Sequence, residues 1–136
     1  MKRALTIFAT FLFAFSLIFA ATSQATDYDA FSKNLVKALK SENQGLQVSA
    51  MQQVIKYGKK VDVKDATLDI VRVYRRSNDE NFRKLALAAI NAMESEWALG
   101  IVKRDYQFET NPKIKKMMAA VLNANKDKVG ISASAQ

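Results

Sequence analysis

Asp62, Asp65 and Asp69 stand three and four residues apart in "VDVKDATLD". That spacing places carboxylates on one side of a helix. Carboxylates so grouped can share a proton or hold a hard metal ion. Glu94 and Glu96, on either side of Ser95, form a second candidate pair. Both sets have a plainer reading. Asp62 and Asp65 fall where an apolar period begins, and negative charge there favours the helix dipole. Asp69 lies one turn from Arg72, an ordinary surface pairing, and Asp79 and Glu80 also open a helical period.

Nucleophilic chemistry finds little to work with. Serines fall mainly at breaks between periodic segments, as Ser41, Ser77 and Ser95. The chain has no G-x-S-x-G and no glycine-rich phosphate loop. It contains zero His and zero Cys. Imidazole is therefore missing as a base and as a ligand, and thiolate nucleophiles and thiolate metal sites are missing with it. The expectation is a protein that is not an enzyme, with no metal, no cofactor and no small-molecule substrate.

Cations and aromatics are the stronger signal. The formal net charge is +8, and it is +6 without Lys2 and Arg3. Such an excess attracts anionic surfaces, or only keeps the protein soluble. The cations group as Lys56, Lys59, Lys60 and Lys64; as Arg72, Arg75 and Arg76; as Arg83 and Lys84; and as Lys113, Lys115 and Lys116. Tyr57, Tyr74, Trp97 and Tyr106 lie at or near helix ends. Trp97 follows two acids at the start of a helix and is the aromatic best placed to meet a partner.

The segment that precedes all of these residues is of a different kind. "MKR" is followed by uncharged Ala4 to Ala21, then by "TSQA" with small residues at Ser23 and Ala25. This pattern predicts a signal helix over residues 1–25, cleaved after export, with an uncleaved membrane anchor as the rival reading. The expected location is periplasmic or secreted, or membrane-anchored under the rival reading. Nucleic acid is not an expected partner there. Residues 26–128 form one domain, which must hold together by apolar burial because no disulfide is available. Residues 129–136, "VGISASAQ", are expected to be disordered.

Apolar residues in that domain recur at three- and four-residue steps, the helical period. Turn signals divide it into about six helices: 27–40, 44–57, 63–76, 80–93, 96–108 and 112–125. "VDV" at Val61–Val63 is too short to argue for a strand. The even helices superpose as "NQGLQVSAMQQV", "DENFRKLALAAI" and "NPKIKKMMAAVL". Each opens on an N-cap residue, Asn43, Asp79 or Asn111. Leu46, Phe82 and Ile114 then match, followed by the polar donors Gln47, Arg83 and Lys115. Leu35 and Leu39 match Ile70 and Tyr74, then Val102 and Tyr106, if one residue is inserted in the second break. A period of this length predicts an array of stacked helical hairpins.

The array resembles the HEAT-repeat family in its short bacterial form, whose second helix opens Asp-Pro-x-Val-Arg. "NPKIKK" is close to that opening, "DENFRK" keeps the acid and the Arg, and "NQGLQV" keeps the cap and the apolar residue. "WALG" at Trp97 is shared with tetratricopeptide repeats, but the Tyr and Ala expected after it do not follow in register. The resemblance implies an all-α fold: a right-handed α-solenoid of three antiparallel hairpins. It implies a scaffold that binds another envelope or secreted protein along the second helices. Arg83, Lys84, Lys115 and Lys116 would then stand near that surface, with Arg83 and Lys115 also suited to bridge one unit to the next through an Asp or Asn of the turn. The alternative is a peripheral envelope component that binds anionic lipid or polymer through its basic residues.

The stacked reading explains "FRKLALAAINAM", Phe82–Met93, which is apolar on nearly every side. A central helix touches its hairpin partner and a neighbour on each flank, so only a narrow strip stays wet. The flanking copies are richer in Gln, Lys and Asn, as terminal units should be.

Overall fold

The computed structural model describes residues 27–130. The proposed signal segment and the tail from residue 131 lie outside the described residues. Six α-helices carry the described residues: α1 (Tyr28–Lys40), α2 (Gln44–Tyr57), α3 (Thr67–Arg76), α4 (Glu80–Met93), α5 (Glu96–Asp105) and α6 (Pro112–Ala124). Short 3₁₀ turns occur at Gly58–Lys60, Lys64–Ala66 and Tyr106–Phe108. The domain is all-α, with consecutive helices packed as antiparallel hairpins.

The helix starts follow from local chemistry. The Asn43 side chain accepts from Leu46 N at 3.1 Å. Asp79 accepts from Asn81 N and Phe82 N at 2.8 and 3.1 Å. Asn111 accepts from Lys113 N and Ile114 N at 2.9 and 3.2 Å, with Pro112 in the first turn. Each cap satisfies backbone donors that a helix leaves unpaired, a contribution of about 1 kcal/mol.

Two boundaries differ from the periodicity. The third helix was expected near Val63, yet α-geometry begins at Thr67 after a 3₁₀ turn. Val61 and Val63 are buried while Asp62 stays outside, and Asp62 N donates to the buried Ser32 Oγ at 2.9 Å. Fixing that alternating segment against α1 delays the helix. The fifth helix likewise tightens to 3₁₀ for its last turn, Tyr106–Phe108.

The helices form two rows. α2, α4 and α6 pack side by side, and α1, α3 and α5 make the other row, each against its hairpin partner. The aligned positions Leu35, Leu39, Ile70, Tyr74 and Val102 are buried in one row; Ala50, Val54, Ala86, Ile90, Met118 and Leu122 are buried in the other. Fully burying a side chain such as Ile90 contributes about 1.5–3 kcal/mol. α4 occupies the centre, against α2, α3 and α6. From Phe82 to Met93 no residue is exposed, which answers why that sequence lacks a polar face. Leu46 departs from its aligned mates: it is 51% exposed, against 9% for Phe82 and 0% for Ile114. Among the described residues no hairpin precedes the first one to cover Leu46.

One device recurs at the aligned donor positions. Gln47 Nε2 donates to Leu39 O at 3.1 Å. Arg83 Nε donates to Tyr74 O at 2.8 Å. Lys115 Nζ lies 5.2 Å from the centroid of the Tyr106 ring. In each hairpin the donor near the start of the second helix reaches back to the end of the first. There it satisfies a carbonyl left without a helical partner, or covers the aromatic ring beside it.

Candidate functional site

α4 positions Arg83 and Lys84 directly after its Asp79 cap. The Arg83 guanidinium lies over the Tyr74 ring at 5.8 Å and donates from its terminal nitrogen to Glu109 Oε2 at 2.5 Å. Glu109 Oε1 accepts from Asn111 N at 2.9 Å. Arg83 thus ties its own hairpin to the turn that opens α6. The bridge expected of it is present, made through Glu109 rather than an Asp or Asn. Burial pushes the Glu109 carboxyl up, but the Arg83 hydrogen bond and the Asn111 and Thr110 amides outweigh it and hold the group below its ordinary value. Burial, with Asp105 and Glu109 nearby, raises the Tyr74 phenol well above its usual range.

Lys84 donates to Glu80 Oε1 at 2.6 Å. Glu80 also accepts from Asn111 Nδ2 at 3.2 Å and lies 3.5 Å from Lys113 Nζ. Hydrogen bonds from Lys84 and then Asn111 lower the Glu80 pKa to about 2. Lys115 is half-buried against Tyr106, and Lys116 is exposed without an ion-pair partner among the described residues. These four cations belong to the α4–α6 row. Trp97 does not join them: it sits in the first turn of α5, in the other row, 55% exposed.

Of the carboxylates singled out by spacing, Asp62 and Asp69 are held locally, while Asp65 and Glu96 are exposed. Asp62 Oδ1 accepts from Lys64 N at 3.2 Å, and Asp69 pairs with Arg72 at 2.9 Å. Among the described residues no three His, Cys, Asp or Glu side chains gather to hold a metal ion. Glu94 closes α4 in the left-handed conformation, φ 51° and ψ 33°. Its carboxylate pairs with Lys59 at 2.6 Å and with Lys128, which together lower its pKa, Lys128 foremost. These residues edge a cleft lined also by Gly58 and Val61 from the α2–α3 connection. Val129 packs on the core, and its carbonyl accepts from Lys103 Nζ at 2.7 Å.

The row α1–α3–α5 contains Trp97, which the sequence singled out, and two exposed apolar residues that it did not. Leu68, Trp97 and Phe108 are 55%, 55% and 72% exposed. Lys37, Arg72 and Arg104 are exposed on the same three helices, each two residues after an aligned core position, Leu35, Ile70 or Val102. That offset was a readable signal. Among the described residues no helix is long and apolar enough to cross a membrane. Comparisons with protein-family models, with curated proteins and with solved structures found no match.

Proposed function

We propose that this chain is an exported, non-catalytic binding module. Its hairpins stack as a right-handed, HEAT-like solenoid that presents a preformed surface to another protein of the cell envelope. The observation that carries the reading is the repeated reach-back of Gln47, Arg83 and Lys115 to Leu39, Tyr74 and Tyr106. It supports three copies of one unit, each braced internally, with Arg83 and Glu109 joining the second hairpin to the third, and a braced frame loses little entropy when it docks.

The carboxylates favour a binding role over catalysis. Glu80, Glu94 and Glu109 are each held ionised by cations or backbone amides. A general acid at neutral pH needs the opposite shift. Lys84 and Lys116, on the second helices, are the contacts offered to the partner.

Affinity capture from envelope extract at raised salt tests the proposal. A defined protein should be retained in stoichiometric amount by the wild type. Lys84→Glu combined with Lys116→Glu should lower its recovery without changing the circular dichroism spectrum. Failure to retain any protein stoichiometrically, at low or high salt, counts against the reading.

A further inference from the structure

The outer face of the α1–α3–α5 row combines positive charge with exposed aromatic side chains. Lys37, Arg72 and Arg104 place one exposed cation on each helix of the row. Arg75 and Arg76 add to them in the last turn of α3. Acidic groups share this row: Asp29, Asp65 and Glu96 are exposed, and Asp29 and Asp65 line a cleft with Lys37, so the cations free of exposed acids are those of α3 and the end of α5. Asp69 and Asp105 have side chains only 19% exposed, and they are engaged by Arg72 at 2.9 Å and Arg75 at 3.0 Å. Glu42, just beyond α1, is exposed as well.

Cations in the last turn of a helix offset its dipole, and that alone would account for several of these residues. It calls for no exposed tryptophan or phenylalanine beside them. Trp97, Gly100 and Arg104 share one face of α5 by their spacing, and Phe108 follows a turn later. Trp97 and Phe108 are about 18 Å apart along the axis, at about 1.5 Å per residue to Asp105 and about 2 Å per residue through the 3₁₀ turn. Gly100 between them is exposed and its α-carbon faces open space, so the strip is low at its middle and raised at its ends.

We propose that this face rests on an anionic lipid surface. Guanidinium groups match phosphate oxygens with two parallel donors, and the face offers Arg72, Arg76 and Arg104 for that purpose. Tryptophan and phenylalanine seat at the boundary between headgroups and acyl chains, the place given to Trp97 and Phe108. A protein partner is the weaker fit. Hot spots of protein interfaces lie in packed pockets, whereas Leu68, Trp97 and Phe108 each stand out singly. A fluid surface makes no demand for a matching shape. The inference goes beyond the protein-binding reading and uses the other row of helices, so either can fail alone.

Trp97 is the only tryptophan in the chain, and its emission therefore reports this face and not the N-terminal segment. The exported protein is mixed at low salt with vesicles of phosphatidylglycerol and phosphatidylcholine in equal parts, and separately with phosphatidylcholine alone. The expected result is a blue shift with the anionic vesicles only, reversed by added salt. Arg72→Glu with Arg104→Glu should abolish it, while Lys84→Glu with Lys116→Glu leaves it in place. Phe108→Ser is the second variant, should the first pair fail to fold, and it should reduce sedimentation with the anionic vesicles. An unshifted emission, or a shift that survives Arg72→Glu with Arg104→Glu or accompanies undiminished sedimentation of Phe108→Ser, overturns the proposal. A shift with polyglutamate and none with vesicles also overturns it and assigns the face to an acidic polypeptide.

Discussion

The carbonyl of Tyr74, at the end of α3, accepts a 2.8 Å hydrogen bond from Nε of Arg83, in the first turns of α4. The same guanidinium reaches Glu109 in the next hairpin. One side chain thus fixes the angle within a hairpin and the contact to its neighbour. The ends of the array have reduced versions of it: Gln47 bonds only within the first hairpin, and Lys115 covers Tyr106 in the last. A central arginine with simpler flanking residues is what a short array needs, because only an inner unit has a neighbour on both sides.

Arg83→Met should therefore cost more than a surface change. It leaves Glu109, whose side chain is only 11% exposed, without its cation. Breaking a fully buried pair costs about 3–5 kcal/mol, and with water reaching Arg83 we expect about 2–3. A double-mutant cycle with Glu109→Gln, followed by urea unfolding, measures the coupling. Additive effects of the two changes would mean that the bridge contributes nothing.

Acid should weaken the fold while changes around neutrality leave it alone. The chain has no His to titrate there. Glu80, Glu94 and Glu109 have folded-state pKa values below the ordinary 4.5. Between the unfolded and folded values the unfolded chain binds more protons, so stability rises with pH through that window. The contribution is complete above about 4.5 and is lost as pH falls toward the Glu80 value of about 2. Melting temperatures taken across this range should fall, and Glu80→Gln with Glu109→Gln should flatten the fall. A level profile in the wild type would contradict the pairing.

Much of this was legible in local sequence. The caps at Asn43, Asp79 and Asn111 and the alignment of Gln47, Arg83 and Lys115 needed only spacing and residue type. Glu109 as the partner of Arg83 was not legible, because 26 residues separate them and no helical period links their positions. Aromatic exposure was legible only in part: Trp97 stood out at a helix start, whereas the 72% exposure of Phe108 had no signal. Tyr74 and Trp97 both lie near helix ends, yet one is 2% exposed and the other 55%. The difference depends on which flank of each helix its neighbours cover, and a single helix's composition does not encode that.

Ala86→Glu probes the central place of α4. Ala86 is fully buried between rows. An unpaired charge there costs several kcal/mol against a total stability of about 5–15. Circular dichroism should show a collapsed melting transition. Ala120→Glu, on the exposed side of α6, should shift stability by no more than about 0.5 kcal/mol. Similar melting curves for the two variants would remove α4 from the centre.

Two glycines should respond to alanine with opposite signs. Gly58 ends α2 at φ 53° and ψ −127°, a backbone state that L side chains rarely adopt, and it carries the turn into the buried Val61–Val63 segment. Gly58→Ala should destabilise by about 1–3 kcal/mol through strain, although a β-carbon would meet nothing closer than Ala92 O at 3.8 Å. Gly100 sits inside α5 with helical geometry, is exposed, and has open space where a β-carbon would go. Gly100→Ala should stabilise by about 0.5–1 kcal/mol, because alanine gives up less backbone freedom in forming the helix. Urea denaturation of both variants measures the pair. A stabilising change at Gly58 would mean that the turn relaxes out of its left-handed state, and a destabilising one at Gly100 would mean that something not seen in the monomer lies against that strip of α5.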